Sequence, residues 1–204
     1  MNSTERRARL RDALIDAADE AIGRDGLTGL KARALAEAVG CALGAIYNVF
    51  PDLDALIFEV NARTLKRLDA ALGADLPVHD PEAAMLQLAL GYHRFTRGDS
   101  RHWRAVFAHQ LPEGIMPPDW YLALIGRLFR HIEEPLETLV PHLDANARQS
   151  LARTLFSAVH GIVSIGLEEK LGSTPDAVIA RGLTVMVRAW VAGLPAATGA
   201  PAAA

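Results

Sequence analysis

The sequence has a single cysteine, Cys41, so no disulfide can form within one chain, and this usage fits a reducing compartment. It lacks a run of about 18 apolar residues, and no charged N-terminal segment precedes an apolar one, which argues against a membrane span and a secretory signal. The net charge is only -3, so contact with nucleic acid would require a local basic patch. We therefore expect a cytoplasmic protein with no membrane partner.

Sequence signatures of catalysis and metal binding are also lacking. The chain has seven histidines, but it contains no HExxH, no histidine pair four residues apart and no cysteine cluster. Neither a GxSxG turn nor a GxxxxGK[ST] phosphate loop occurs. We therefore expect no enzymatic activity, no catalytic residue, no metal site and no cofactor.

Helical periodicity dominates what the sequence does contain. Apolar residues recur three and four positions apart from Leu10 to Ile22, and alternating strand patterns are almost absent. Asp52, Asp80 and Asp144 are placed to cap later helices, as is the segment 173–176 for the last helix. The sequence predicts an all-α protein with about nine helices, near 4–24, 31–38, 42–48, 52–73, 81–97, 100–109, 118–141, 145–170 and 175–193.

Residues 35–50, LAEAVGCALGAIYNVF, predict two short helices separated at Gly40. The small Ala36 allows the helices to approach closely, while Leu35 and Ile46 are placed to bury the inner faces. This is the helix-turn-helix pattern, in which the second helix presents its outer face to a DNA major groove. The same pattern also fits a plain helical hairpin inside a core.

Residues 30–56, LKARALAEAVGCALGAIYNVFPDLDAL, resemble the N-terminal domain of TetR-family transcriptional repressors. The shared landmarks, in matching order and distance, are Leu35-Ala36, Gly40, Tyr47, Phe50 and Ala55-Leu56. The resemblance implies a three-helix DNA-binding domain over 1–57 and a larger helical ligand-binding and dimerisation domain over 58–194. The small, proline-containing segment 195–204 is expected to be a disordered tail.

The chain departs from the family where DNA contact is concerned. Cys41-Ala42 replaces the usual Val-Ser, and Leu53 replaces a usual lysine. Only Asn48 on the second short helix has a side chain suited to reading base edges, so we expect modest direct readout and a larger share from backbone positioning and DNA shape.

Candidate DNA-contacting residues follow from the resemblance and from local charge. The resemblance implies a phosphate contact for Tyr47, and the alternative is a partly buried packing tyrosine. The basic N-terminal segment is either an arm along the DNA backbone or a solvated helix start, since residues 1–50 hold seven basic and seven acidic side chains. The candidates are Arg6, Arg7, Lys31, Arg33, Ala42, Leu43, Gly44, Ala45, Tyr47 and Asn48.

Aromatic side chains from several helices of the second domain can line a cavity for an apolar or aromatic molecule, or they can fill a core. TetR-type proteins generally bind an inducer in this domain. Phe156, His160 and Gly161 resemble a Trp-x-x-x-His-Gly variety of the family with phenylalanine in place of tryptophan, so His160 is either a ligand contact or a structural histidine. The candidate ligand-binding residues are Tyr92, Phe95, Trp103, Phe107, Trp120, Phe129, Phe156 and His160.

The last two predicted helices carry broad apolar faces. They either pair with the same helices of a second subunit, as a homodimer, or are consumed by the core of one subunit. The sequence thus predicts a ligand-responsive DNA-binding regulator, a repressor released from a palindromic double-stranded operator by an apolar or aromatic effector. The alternative is a helical small-molecule binding or protein-interaction module with a weakened DNA-reading head.

Overall fold

The computed structural model describes residues 2–77 and 79–199. Within these ranges it contains nine α-helices and no strand, which confirms the all-α prediction. The helices are α1 Ser3–Asp25, α2 Ala32–Val39, α3 Leu43–Tyr47, α4 Leu53–Gly73, α5 Pro81–Gly98, α6 Ser100–Ala108, α7 Asp119–Leu139, α8 Ala145–Gly166 and α9 Asp176–Ala197. Short 3-10 turns occur at Leu27–Gly29 and Glu169–Leu171.

The chain divides into two compact units. The first unit is Met1–Arg67 with Gly98–Leu124, and the second unit is Leu68–Arg97 with Ile125–Ala204. Helices α4 and α7 each contribute residues to both units.

The first unit begins with a capped helix. The Asn2 side chain accepts a hydrogen bond from the Glu5 backbone N–H at 2.8 Å, and the Glu5 carboxylate accepts one from the Asn2 N–H at 3.1 Å. This reciprocal capping box satisfies two donors that the first turn leaves without helical partners. Gly26, with φ 71°, ends the helix.

One hydrophobic core joins the helices of the first unit. The apolar stripe of α1 supplies Leu14, Ala18 and Ile22, which pack with residues of α2, α3 and α4. Ala105 of α6 lies in the same cluster with only 1% of its surface exposed. The fully assembled core is Leu14, Ile15, Ala18, Ala21, Ile22, Leu30, Leu35, Ala36, Ile46, Phe50, Leu56, Ile57, Val60 and Ala105.

Three of the four predicted helix starts have the expected side-chain caps. Asp52, Asp80 and Asp144 accept hydrogen bonds from backbone N–H groups three residues later, at 2.7, 2.9 and 2.8 Å. The predicted cap for α9 is wrong, because that helix begins after Pro175 with no side-chain cap.

Helix α9 ends later than the predicted 193. It continues through Pro195 to Ala197, and the Thr198 backbone N–H and hydroxyl both donate to the Leu194 carbonyl, at 2.9 and 2.7 Å. His142 also bonds to the Thr198 hydroxyl at 2.9 Å, which anchors this last turn. The predicted disordered tail therefore overlaps the helix at its start, and its residues 200–204 lie outside the described part of the chain.

Among the described residues, α9 alone is long and apolar enough to cross a membrane. Only 22% of the most apolar part of this helix is buried. Only the length and the composition of α9 indicate this, and the core helices of soluble proteins can have the same length and composition.

Candidate functional site

The turn between α2 and α3 is set by Gly40. This residue has φ 73° and ψ 36°, a left-handed conformation that glycine adopts without a steric penalty. The Gly40 N–H bonds to the Glu37 carbonyl at 3.1 Å, and the Cys41 N–H bonds to the Ala36 carbonyl at 2.9 Å. This pair of bonds is a Schellman motif, which closes α2 and redirects the chain into α3.

Helix α3 has one buried side and one exposed side. Ile46 is fully buried, and Phe50 beyond the helix is 3% exposed, so these two residues anchor the inner side. On the outer side Leu43 is 41% exposed and Tyr47 is 49% exposed. The remaining candidates here, Ala42, Gly44 and Asn48, are exposed, while Ala45 is half-buried.

The predicted basic contacts lie on the surface of the same unit. Arg6 and Arg7 are exposed in the first turns of α1, and Lys31 and Arg33 are exposed around the start of α2. The neighbouring Arg11 differs, because it pairs with Glu59 and lies over the Phe50 ring at 5.6 Å. Arg11 therefore ties α1 to the rest of the first unit.

Four predicted ligand-binding residues meet in the second unit. Phe156 on α8 contacts the ring of Tyr92 on α5 at 5.5 Å and the ring of Phe129 on α7 at 5.4 Å, both edge-to-face. His160, one turn after Phe156, lies 5.7 Å from its ring. We call Tyr92, Phe129, Phe156 and His160 the aromatic cluster. Phe95 lies one turn after Tyr92 on α5 and is half-buried.

A polar contact joins two members of the aromatic cluster. The Tyr92 hydroxyl and His160 Nδ1 are 2.9 Å apart. Burial lowers the pKa of His160, because it disfavours the charged imidazolium. At neutral pH the neutral ring therefore has one donor and one acceptor nitrogen. The Arg153 guanidinium lies 4.8 Å above the Phe129 ring, at cation–π distance.

The other predicted ligand-binding residues belong to the first unit. Trp103 is 5% exposed and contacts Phe107 on the next turn of α6 at 5.3 Å. Trp120, at the start of α7, contacts Tyr121 at 5.7 Å and is 46% exposed. The eight candidates are therefore divided between two units.

Sequence reasoning missed a buried polar position in the first unit. Asn61 on α4 is 1% exposed, and Tyr121 on α7 is 5% exposed. The available signal was an asparagine directly after the largely apolar segment LIFEV, at a position that faces the core. Across the residues described, no group of three or more histidine, cysteine, aspartate or glutamate side chains is placed to hold a metal ion.

Residues 85–190 match the family described as "Tetracyclin repressor-like, C-terminal domain". No curated protein matches the chain. Several solved structures share its fold over nearly their whole length.

The candidate regulatory protein SCO4313 superimposes with a TM-score of 0.69 at 19% identity, covering 92% of this chain and 98% of that chain. A TetR transcriptional regulator from Rhodococcus sp. RHA1 gives a TM-score of 0.60 at 14% identity, covering 89% and 96%. The multidrug binding protein EbrR, solved with imidazole, gives 0.57 at 22% identity, covering 87% and 93%.

Proposed function

Because this chain belongs to the TetR family, we propose that it is a cytoplasmic, dimeric repressor that binds a palindromic DNA operator and is released by a small molecule. The observation that carries the proposal is the left-handed turn at Gly40, after which α3 turns an exposed side outward. A short helix presented in this way fits a DNA major groove.

The chemistry of the exposed side of α3 sets the mode of DNA recognition. Asn48 can read an adenine edge, the methyl groups of Ala42 and Ala45 can contact thymine methyls, and the Tyr47 hydroxyl can reach a phosphate. Arg6, Arg7, Lys31 and Arg33 supply positive charge for the DNA backbone. With so few base-reading donors, the DNA shape and backbone contribute much of the specificity.

Exposed apolar residues on α8 and α9 support the proposed homodimer. Val178 and Val185, seven residues apart on one face of α9, are 55% and 64% exposed, and Ile165 on α8 is 61% exposed. A second copy that packs the same helices against these would bury them in a four-helix interface. Two such subunits can place their reading helices about 34 Å apart, one turn of the duplex.

The aromatic cluster supports binding of an apolar or aromatic effector. Flat apolar surfaces are supplied by Tyr92, Phe129 and Phe156. An uncharged imidazole that can form hydrogen bonds is supplied by His160. EbrR, which shares the fold, is a multidrug binding protein. The pair His160-Gly161 also supports assignment to the Trp-x-x-x-His-Gly variety, with Phe156 in the tryptophan position.

The test is binding of the purified protein to DNA from upstream of its own gene, measured by fluorescence anisotropy at several salt concentrations. We expect affinity to fall steeply as salt rises, since phosphate contacts release counterions. The double change Tyr47→Ala with Asn48→Ala should weaken binding at least about tenfold, because it removes one base contact and one phosphate contact. Gln149→Ala, an exposed change on α8, is the matched control and should leave affinity unchanged.

The apolar outer side of α3 favours one alternative, a helical binding module that no longer reads DNA. If the protein binds no upstream fragment even at low salt, or if the double change and Gln149→Ala behave alike, the regulator proposal is wrong and this alternative replaces it.

A further inference from the structure

The buried side chain of Asn61 has unmet hydrogen-bonding capacity. Asn61 is 1% exposed, and neither its Oδ1 nor its Nδ2 makes a hydrogen bond of normal geometry with a described residue. A buried amide without partners costs free energy, because it loses its bonds to water and regains none. Such a group calls for an explanation.

The Asn61 side chain lies close to the Tyr121 hydroxyl. Burial raises the pKa of Tyr121 to about 12, and the nearby Asn61 side chain acts in the opposite direction, which places the amide beside the hydroxyl. The two groups are close but are not aligned for a full hydrogen bond with each other.

Other polar groups nearby already have partners. The Thr64 hydroxyl, one turn along α4, faces the Val60 carbonyl at 3.5 Å and accepts from Arg67 at 3.3 Å. His109 Nε2 lies 2.9 Å from the Asp54 carboxylate. Among the described residues of this region, Asn61 is therefore the one whose buried side-chain atoms are left without a hydrogen-bond partner.

Aromatic rings pack against one another close to Asn61 in the chain and beside Tyr121. Phe58, one turn before Asn61, packs edge-to-face against Tyr121 at 4.8 Å and against His109 at 5.0 Å. Phe58 is 6% exposed. A molecule that bonds to Asn61 would thus lie against ring surfaces, which favours a flat apolar body.

We propose that Asn61 and Tyr121 bind the polar edge of a neutral small molecule that carries an adjacent hydrogen-bond donor and acceptor, such as a primary carboxamide or a lactam, on an aromatic body. The amide of Asn61 offers both a donor and an acceptor, so it is complementary to such an edge. We expect the ligand to be neutral, because the ionisable groups described near this position, His109 and Asp54, are paired with each other and offer no charge to compensate a buried ion. The proposal rests on the ligand-responsive function above and adds to it a second small-molecule site, in the first unit.

The test uses benzamide as the probe for the full-length protein, with binding followed by NMR titration. N,N-dimethylbenzamide keeps the ring and the carbonyl but has no N–H donor. We expect it to bind about 3- to 10-fold more weakly than benzamide, because one hydrogen bond contributes about this factor to affinity. Equal binding of the two compounds, or no benzamide binding at millimolar concentration, would overturn the proposal.

The decisive variant is Asn61→Leu, which keeps the number of side-chain heavy atoms and the branch at Cγ but has no polar group. We expect it to remove the preference for benzamide and to raise Tm by about 2–4 °C, since an unsatisfied buried amide is replaced by an apolar side chain. A lower Tm would show that the amide is structural and would overturn the proposal.

Two further variants separate the possible outcomes. Tyr121→Phe removes only the hydroxyl, and we expect it to weaken benzamide binding about 3- to 10-fold; unchanged binding would contradict a role for this hydroxyl. Gln149→Ala, an exposed change on α8, is the control and should leave benzamide binding unchanged. If benzamide binds through Asn61 while the protein binds no DNA, the regulator proposal fails and this site stands.

Discussion

The imidazole ring of His102 lies directly against the backbone of Gly23. A Cβ added at Gly23 would be 2.9 Å from Cε1 of the ring. The ring cannot easily move away, because Nδ1 lies 2.5 Å from the Asp99 carboxylate and Nε2 donates to the Asp19 carbonyl at 2.9 Å. This contact fixes α6 against α1 within the first unit.

Gly23→Ala should destabilise the protein by about 1–3 kcal/mol, because the added methyl group overlaps a ring held by two polar contacts. Equilibrium urea denaturation measures the loss. Gly126→Ala is the matched control, since a Cβ at that helical glycine meets no atom within 4 Å, and it should be neutral or stabilising. Adding His102→Ala to Gly23→Ala should remove most of the penalty, and additive losses would contradict the steric explanation.

Gly40→Ala should cost about 1–2 kcal/mol of stability, because an alanine pays a steric penalty at φ 73°. No atom lies within 4 Å of the added Cβ, so the loss would come from the backbone alone. Gly40→Asn should cost less, since asparagine tolerates the left-handed region. Gly44→Ala has equal space and an ordinary helical backbone, so a loss there as large as at Gly40 would refute this interpretation.

Stability should decline as pH falls below about 6.5, the unperturbed value for histidine. Burial lowers the pKa of His160, and burial with nearby Arg97 and Arg94 lowers the pKa of His93. The unfolded chain then binds more protons than the folded one, so stability is fully present above the unfolded pKa and is lost as pH falls toward the folded pKa, by at most about 1.4 kcal/mol per pH unit for each histidine.

Urea denaturation at pH 7.5, 6.5 and 5.5 (roughly one unit either side of the histidine value) checks this dependence. His160→Gln should reduce the slope of stability against pH. Tyr92→Phe retains the histidine and its burial and should keep the slope. An unchanged slope in His160→Gln would rule out the contribution assigned to this residue.

Val185→Glu should shift the proposed dimer toward monomer, because it places a charge in an apolar contact made twice by symmetry. Sedimentation equilibrium measures the change, and we expect at least tenfold weaker association. Leu122→Glu, at another exposed apolar position in the first unit (40% exposed), is the control. A wild-type protein that is monomeric at micromolar concentration would contradict the dimer.

Local sequence signals predicted much of the fold. The turn at Gly40 and the caps at Asp52, Asp80 and Asp144 were predictable because each depends on residues within one turn of the chain. The Asn2–Glu5 capping box was equally readable and was missed. Pro195 misled the prediction of the end of α9, since contacts from Thr198 and the distant His142 hold the last turn.

Contacts between distant residues were not predictable in the same way. His102 meets Asp19, 83 positions away, and no local pattern selects that partner among the acidic residues of α1. The division of the aromatic residues between two units was not predictable for a related reason, because helical periodicity shows which residues face inward but does not show which helix they face. Burial of Asn61 likewise depends on rings supplied by α4 and α7.

Ala105 of α6 completes the core around α1 to α4. A chimaera that transplanted only residues 1–57 into another regulator would leave that core open to water at this point and would remove the His102 contact with α1. To exchange DNA specificity between relatives, α6 would therefore have to be transplanted together with α2 and α3.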